Sequence, residues 1–112
     1  MSRCLFGVET EYALAPVEHR GSTLERILEL TREHVTCLPG VRGSDFFLAN
    51  GSRLYIDCGE HPELATPECT DPTEVVRYIL AGDAILAELV GMIELPGGSK
   101  PFLFKGLLPS AR

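Results

Sequence analysis

The sequence predicts an α+β fold, an antiparallel or mixed β-sheet with helices packed on one of its faces. Three observations predict it. Some segments alternate apolar and polar residues with period two. Two longer segments repeat apolar residues every three to four positions. An Asn-Gly pair separates two apolar runs. The order along the chain is strand, helix, hairpin, helix, strand.

Residues 3–14 read as the first strand. Phe6, Val8, Thr10 and Tyr12 alternate with Gly7, Glu9 and Glu11, so the two glutamates share one polar face. Ser22 or Thr23 then supplies a helix N-cap, with Glu25 three residues after Ser22 as in a capping box. Leu24, Ile27, Leu28 and Val35 carry a helical stripe to about Cys37, and Pro39-Gly40 stops it. Asn50-Gly51 predicts a hairpin between strands near 45–49 and 52–58. Residues 59–70, GEHPELATPECT, read as an irregular loop with two prolines. Asp71 as N-cap and Pro72 at the first helical position open a long helix. Its predicted buried stripe is Val75, Val76, Ile79, Leu80, Ile85, Leu86 and Leu89. It runs to about Ile93, with Gly82 as a weak point and Pro96-Gly97-Gly98 as its stop. Pro101 to Lys105 reads as a last strand.

The chain has 112 residues, enough for one domain or part of one, and 45% of them are apolar, which excludes a disordered tail. A net charge of −6 argues against DNA or anionic membranes as partners, since nothing offsets phosphate repulsion. No apolar run approaches the roughly 18 residues of a membrane span, and MSRCLFGVETEY lacks signal-peptide architecture. A cytoplasmic location is the expectation. Cys4, Cys37, Cys58 and Cys69 contain no CxxC pair, so reduced, mostly buried thiols fit better than disulfides. Cys58, His61 and Cys69 match no standard zinc spacing.

The chemistry-bearing stretch is RLYIDCGEHPE, where Arg53, Tyr55 and Asp57 fall on one face of a strand and Glu63 follows past its end. If this face coincides with that of Glu9 and Glu11, several acidic groups converge, which is costly unless a cation neutralises them. Magnesium suits oxygen ligands of this kind together with phosphate, and the planar fork of Arg53 suits a phosphate. The plainer alternative stays open at this level. Glu-x-Glu on a strand is most often a solvated face, and Arg-x-Tyr-x-Asp an exposed ion-pair ladder.

Taken together, GVETEY, NGSRLYID and GEHPELATPEC resemble the N-terminal part of the Pup ligase and Pup deamidase family. These proteasome accessory factors act on Pup, the small protein modifier of bacterial proteasome systems, and are similar in fold to glutamine synthetase and the carboxylate–amine ligases. The family's blocks are G-[IVL]-E-x-E-[YF], NGARLYxD and HPEYATPEC. Ser52 stands here for the usual alanine and Leu64 for the usual tyrosine. The resemblance implies magnesium ligands at Glu9, Tyr55 and Glu63, ATP contacts at Arg53 and Thr66, and a catalytic, proton-accepting Asp57. Glu11 is a secondary metal candidate. The implied reaction is ATP-dependent ligation of the C-terminal glutamate of Pup to substrate lysines through an acyl phosphate.

The short stretch from Ala13 to Ala49, and the wording of GEHPELATPEC, look more like the ligase than the deamidase branch. The resemblance covers residues 1–105, the N-terminal part of a catalytic domain, while 106–112 (GLLPSAR) diverge. Family members are several times longer. The sequence is therefore expected to be inactive alone, to be completed by a separate chain, or to be a non-catalytic module binding Pup or a nucleotide.

Overall fold

In the computed structural model, residues 4–40, 45–56 and 60–105 are described. The alternation in ETEYALA becomes strand β1, Glu9–Ala15, with Thr10, Tyr12 and Leu14 buried and Glu9 and Glu11 exposed. The strand is shorter than the predicted 3–14. Before Glu9 an isolated bridge joins Phe6 to Cys69, with backbone bonds of 3.0 and 2.8 Å.

A 310 turn at Val17–His19 runs straight into helix α1, Arg20–His34. The predicted capping box does not form. The helix starts two residues before Ser22, so Ser22 and Thr23 lie inside its first turn. Their hydroxyls donate back to the His19 carbonyl at 3.1 and 2.7 Å, the usual behaviour of such residues within a helix. Thr23, Leu24, Ile27, Leu30 and Thr31 form its buried face. The helix also ends before the predicted Cys37. Val35 is already extended, because Cys37–Pro39 form strand β2 against strand β3, Asp45–Leu48. Pairing across the sheet overrides the helical pattern there.

The hairpin is present: β3 pairs antiparallel with β4, Arg53–Ile56. Its loop is Ala49-Asn50-Gly51, closed by Leu48 N to Ser52 O at 2.8 Å, with Gly51 at φ 92°. That is a three-residue loop with glycine in the left-handed position, rather than the two-residue turn the sequence suggested.

The segment 59–70 is not merely a loop. Pro62–Ala65 form strand β5, which sits between β4 and β1 in the sheet order β2-β3-β4-β5-β1-β6, where β6 is Phe102–Lys105. All these pairings are antiparallel. PELA has poor strand propensity and is bracketed by prolines, which hides it. Pro62 is tolerated because it occupies the strand's first position.

Helix α2 spans Pro72–Gly91, with Asp71 Oδ1 accepting from Thr73 N at 2.9 Å. Its buried side is Val75, Gly82, Leu86, Leu89 and Val90. Val76 and Leu80, expected inside, are more than half exposed, because the helix is turned so that Gly82 meets the sheet. A Cβ on Gly82 would lie 2.6 Å from Leu64 Cδ1, so this glycine is a contact point rather than a weak point. Both helices cover one sheet face, burying Tyr12, Leu14, Phe46, Leu54 and Leu64 against Leu24, Ile27, Leu86 and Leu89. On the same side the Tyr12 hydroxyl donates to Asp83, and Lys105 bonds Asp83 at 2.8 Å, which ties edge strand β6 to α2. Burial, then the hydrogen bond and charge of Asp83, hold the Tyr12 hydroxyl above its usual pKa of 10.0.

Among the described cysteines none forms a disulfide. Cys69 is buried, Cys37 half-buried and Cys4 exposed, so burial is less general than expected. Among the described residues no helix is long and apolar enough to cross a membrane.

Candidate functional site

The other sheet face is set by register. Side chains directly opposite one another in an antiparallel pair share a face. Glu11 pairs with Glu63, Glu63 with Tyr55, and Tyr55 with Asp45. The next row pairs Glu9 with Ala65, Ala65 with Arg53, and Arg53 with Phe47. Glu9, Glu11, Arg53, Tyr55 and Glu63 therefore lie on one face, away from the helices, across three adjacent strands. The coincidence of faces that the sequence required is met, with β5 inserted between the two predicted strands.

Burial differs along this face. Glu9 and Glu11 are exposed, while Glu63, on one of the two central strands, is only 5% exposed. Ala65, the small residue between Glu9 and Arg53, leaves room between an acidic and a basic group. Thr66 follows directly. Its Oγ1 accepts from Val8 N at 3.0 Å and its N–H donates to Val8 O at 2.9 Å, which joins the end of β5 to the approach of β1. Gly7 lies against it: a Cβ there would be 3.3 Å from Thr66 Oγ1. Asp57, the predicted proton acceptor, lies outside the described residues.

Arg53 is held on three sides. Its Nη2 bonds Asp45 Oδ2 at 3.1 Å, and its guanidinium carbon lies 4.5 Å from the centre of the Tyr55 ring and 5.9 Å from that of Phe47. The sequence reading missed Asp45 and Phe47. The hairpin signal could have found them only with the right loop length, since a two-residue turn would put Asp45 on the helix side.

The donor set is carboxylate and phenol oxygen with one guanidinium beside it. Such donors suit a hard divalent cation and phosphate, and magnesium is commonly held by one or two carboxylates plus phosphate oxygens. Among the described residues no three His, Cys, Asp or Glu side chains form a ready-made metal cluster. Glu11 and Glu63 stand opposite one another in one row, on strands roughly 4.8 Å apart, and Glu9 lies in the next row.

Comparison with known proteins gives a consistent result. A family model described as Pup-ligase protein matches residues 17–106. The chain is 42% identical over 92 residues to a Pup–protein ligase of Xylanimonas cellulosilytica, covering 80% of this chain and 20% of that protein. It is 40% identical over 119 residues to one of Saccharomonospora viridis, covering 99% of this chain and 26% of that protein. Among solved structures it resembles the ligase in a crystal structure of the complex between prokaryotic ubiquitin-like protein Pup and its ligase PafA. That match has a TM-score of 0.64 at 32% identity, over 80% of this chain and 18% of the other. The chain thus spans about a fifth to a quarter of the length of the curated relatives it matches.

Proposed function

Because this chain belongs to the Pup-ligase family, we propose that its open sheet face is one wall of a Mg-ATP and acyl-transfer site that joins Pup to substrate lysines. The observation carrying this reading is the register that brings Glu9, Glu11, Glu63, Tyr55 and Arg53 to one face. Glu9, Tyr55 and Glu63 would hold magnesium, with Glu11 beside them. When bound, the ion would offset negative charge on the nucleotide phosphates. Arg53 and Thr66 would bind and orient ATP, the guanidinium by its two-pronged fit to phosphate oxygens.

In the reaction the γ-carboxylate of Pup's C-terminal glutamate attacks the γ-phosphorus of ATP, ADP leaves, and an acyl phosphate forms. A lysine amine attacks the acyl carbon and inorganic phosphate leaves, giving the isopeptide bond. Lysine is protonated near pH 7 and reacts only as the neutral amine, so a carboxylate must take its proton, and Asp57 is that group. The helix-covered face supplies rigidity to the strands that carry these residues.

The test is a complete ligase in which this chain replaces the matching first segment of a relative, assayed for isopeptide formation between Pup and an acceptor protein. Activity that disappears with Glu9→Gln, together with Mg-ATP binding, supports the reading. Activity unchanged by both Glu9→Gln and Asp57→Asn would falsify it and leave a binding module.

A further inference from the structure

Asp45 belongs to no part of the scheme above, yet it is one of the most buried charged residues described, only 5% exposed. A desolvated carboxylate is costly unless its lone pairs are used. Here Oδ2 accepts from Arg53 Nη2, while Oδ1 has no hydrogen-bond partner among the described residues. Gly40 makes room for it. A Cβ at Gly40 would lie 2.2 Å from Asp45 Cγ, and Gly40 N donates to the Asp45 carbonyl at 2.8 Å. The arginine is fixed from the other side by the Tyr55 ring at 4.5 Å. Ring and carboxylate act on different parts of the guanidinium. The ring restrains its plane, and the carboxylate restrains its rotation within that plane.

We propose that Asp45 is a positioning residue that fixes the in-plane orientation of the Arg53 guanidinium, so that the fork points at a nucleotide phosphate. The phosphate part of this inference rests on the role of Arg53 proposed above. A stack on Tyr55 alone would leave the fork free to turn, and each turned pose would weaken two-pronged contact. Gly40 belongs to the same device, since a larger residue there would displace the carboxylate.

Two readouts separate the pair from its purpose. The first is the relaxation of the Arg53 Nε–Hε resonance, assigned by its loss in Arg53→Lys. An ordered resonance is expected in the parent chain, a mobile one in Asp45→Ala and Gly40→Ala, and an ordered one in Asp45→Asn, whose amide oxygen can still accept. Thermal melts identify any variant that fails to fold, and Gly40→Ala tests the same contact without removing a charge. An Arg53 that stays ordered in both Asp45→Ala and Gly40→Ala overturns the proposal, because the stack then suffices. The second readout is calorimetric titration of Mg-ATP into the complete chimeric ligase. Asp45→Ala is expected to raise Kd on the order of tenfold, the scale of one charge-assisted hydrogen bond. It should add nothing further in an Arg53→Ala background. Affinity unmoved by Arg53→Ala overturns the phosphate role itself, while the resonance still reports on whether Asp45 orders the side chain.

Discussion

On the helix-covered face of the sheet, Tyr12, Leu14, Leu54 and Leu64 are packed against two helices. On the opposite face the same strands present Glu9, Glu11, Arg53, Tyr55 and Glu63. The first face lowers the free energy of folding through apolar burial. The second gathers charge that folding alone would disperse. Adjacent residues in one strand serve these two ends. Leu64 meets α2, and Glu63, one position earlier, looks the other way. The contrast teaches that the fold is secured by residues different from those proposed to give it a use, so the two can be perturbed separately.

The widest separation is expected at Asp57. In the complete chimeric ligase, Asp57→Asn should slow isopeptide formation by about 10²- to 10⁴-fold. Mg-ATP affinity measured by calorimetry should change little. Equal loss of both would make Asp57 a metal ligand or a structural residue. Next come the neighbours on β5. Leu64→Ala should cost about 2–5 kcal/mol in urea unfolding. Glu63→Gln should cost less stability than Leu64→Ala but weaken Mg-ATP binding at least about tenfold, the scale of disturbing even an outer partner of a metal site. Reversed effects would mean that the two faces are not divided as described.

Tyr12→Phe should cost about 1–2 kcal/mol at neutral pH by removing the bond to Asp83. Its pH dependence has a definite sign. The folded state holds the tyrosine proton more tightly than the unfolded chain, whose hydroxyl titrates near 10.0. The Tyr12 contribution is therefore complete below about pH 10 and lost as pH rises above it. Urea midpoints measured across that range should fall more steeply in the parent than in Tyr12→Phe. Parallel curves would show that Tyr12 is not linked to alkaline unfolding. The smallest effect is expected at Leu80, on the outer side of α2, where Leu80→Ala should change stability by no more than about 0.5 kcal/mol. A large loss there would mean that a third layer covers the helix.

Much of this was legible in the sequence. Period-two alternation marked β1, and Asp71-Pro72 marked the start of α2, because those signals are local. Glu9, Glu11, Arg53 and Tyr55 were assigned to common faces by parity along each strand, which needs no tertiary information. What failed was non-local. PELA reads as a loop because its strand character comes from neighbours on both sides rather than from its own residues. Val76 and Leu80 were misplaced because the rotation of α2 is fixed by the Gly82–Leu64 contact. Asp45 was missed because the face of β3 depends on whether the Asn50-Gly51 loop has two residues or three.

The closeness of Gly82 to Leu64 has a mechanical consequence. β5 carries the contact with α2 on one face and Glu63 on the other, so a displacement of the strand is felt on both. A methyl group introduced at Gly82 would press first on the end of the Leu64 side chain, whose Cγ and Cβ stay at ordinary contact distances of 3.6 and 3.8 Å. A larger side chain there would press deeper, toward the strand itself, and so would reach β5 from the face opposite Glu63 with every side chain on the open face left unchanged.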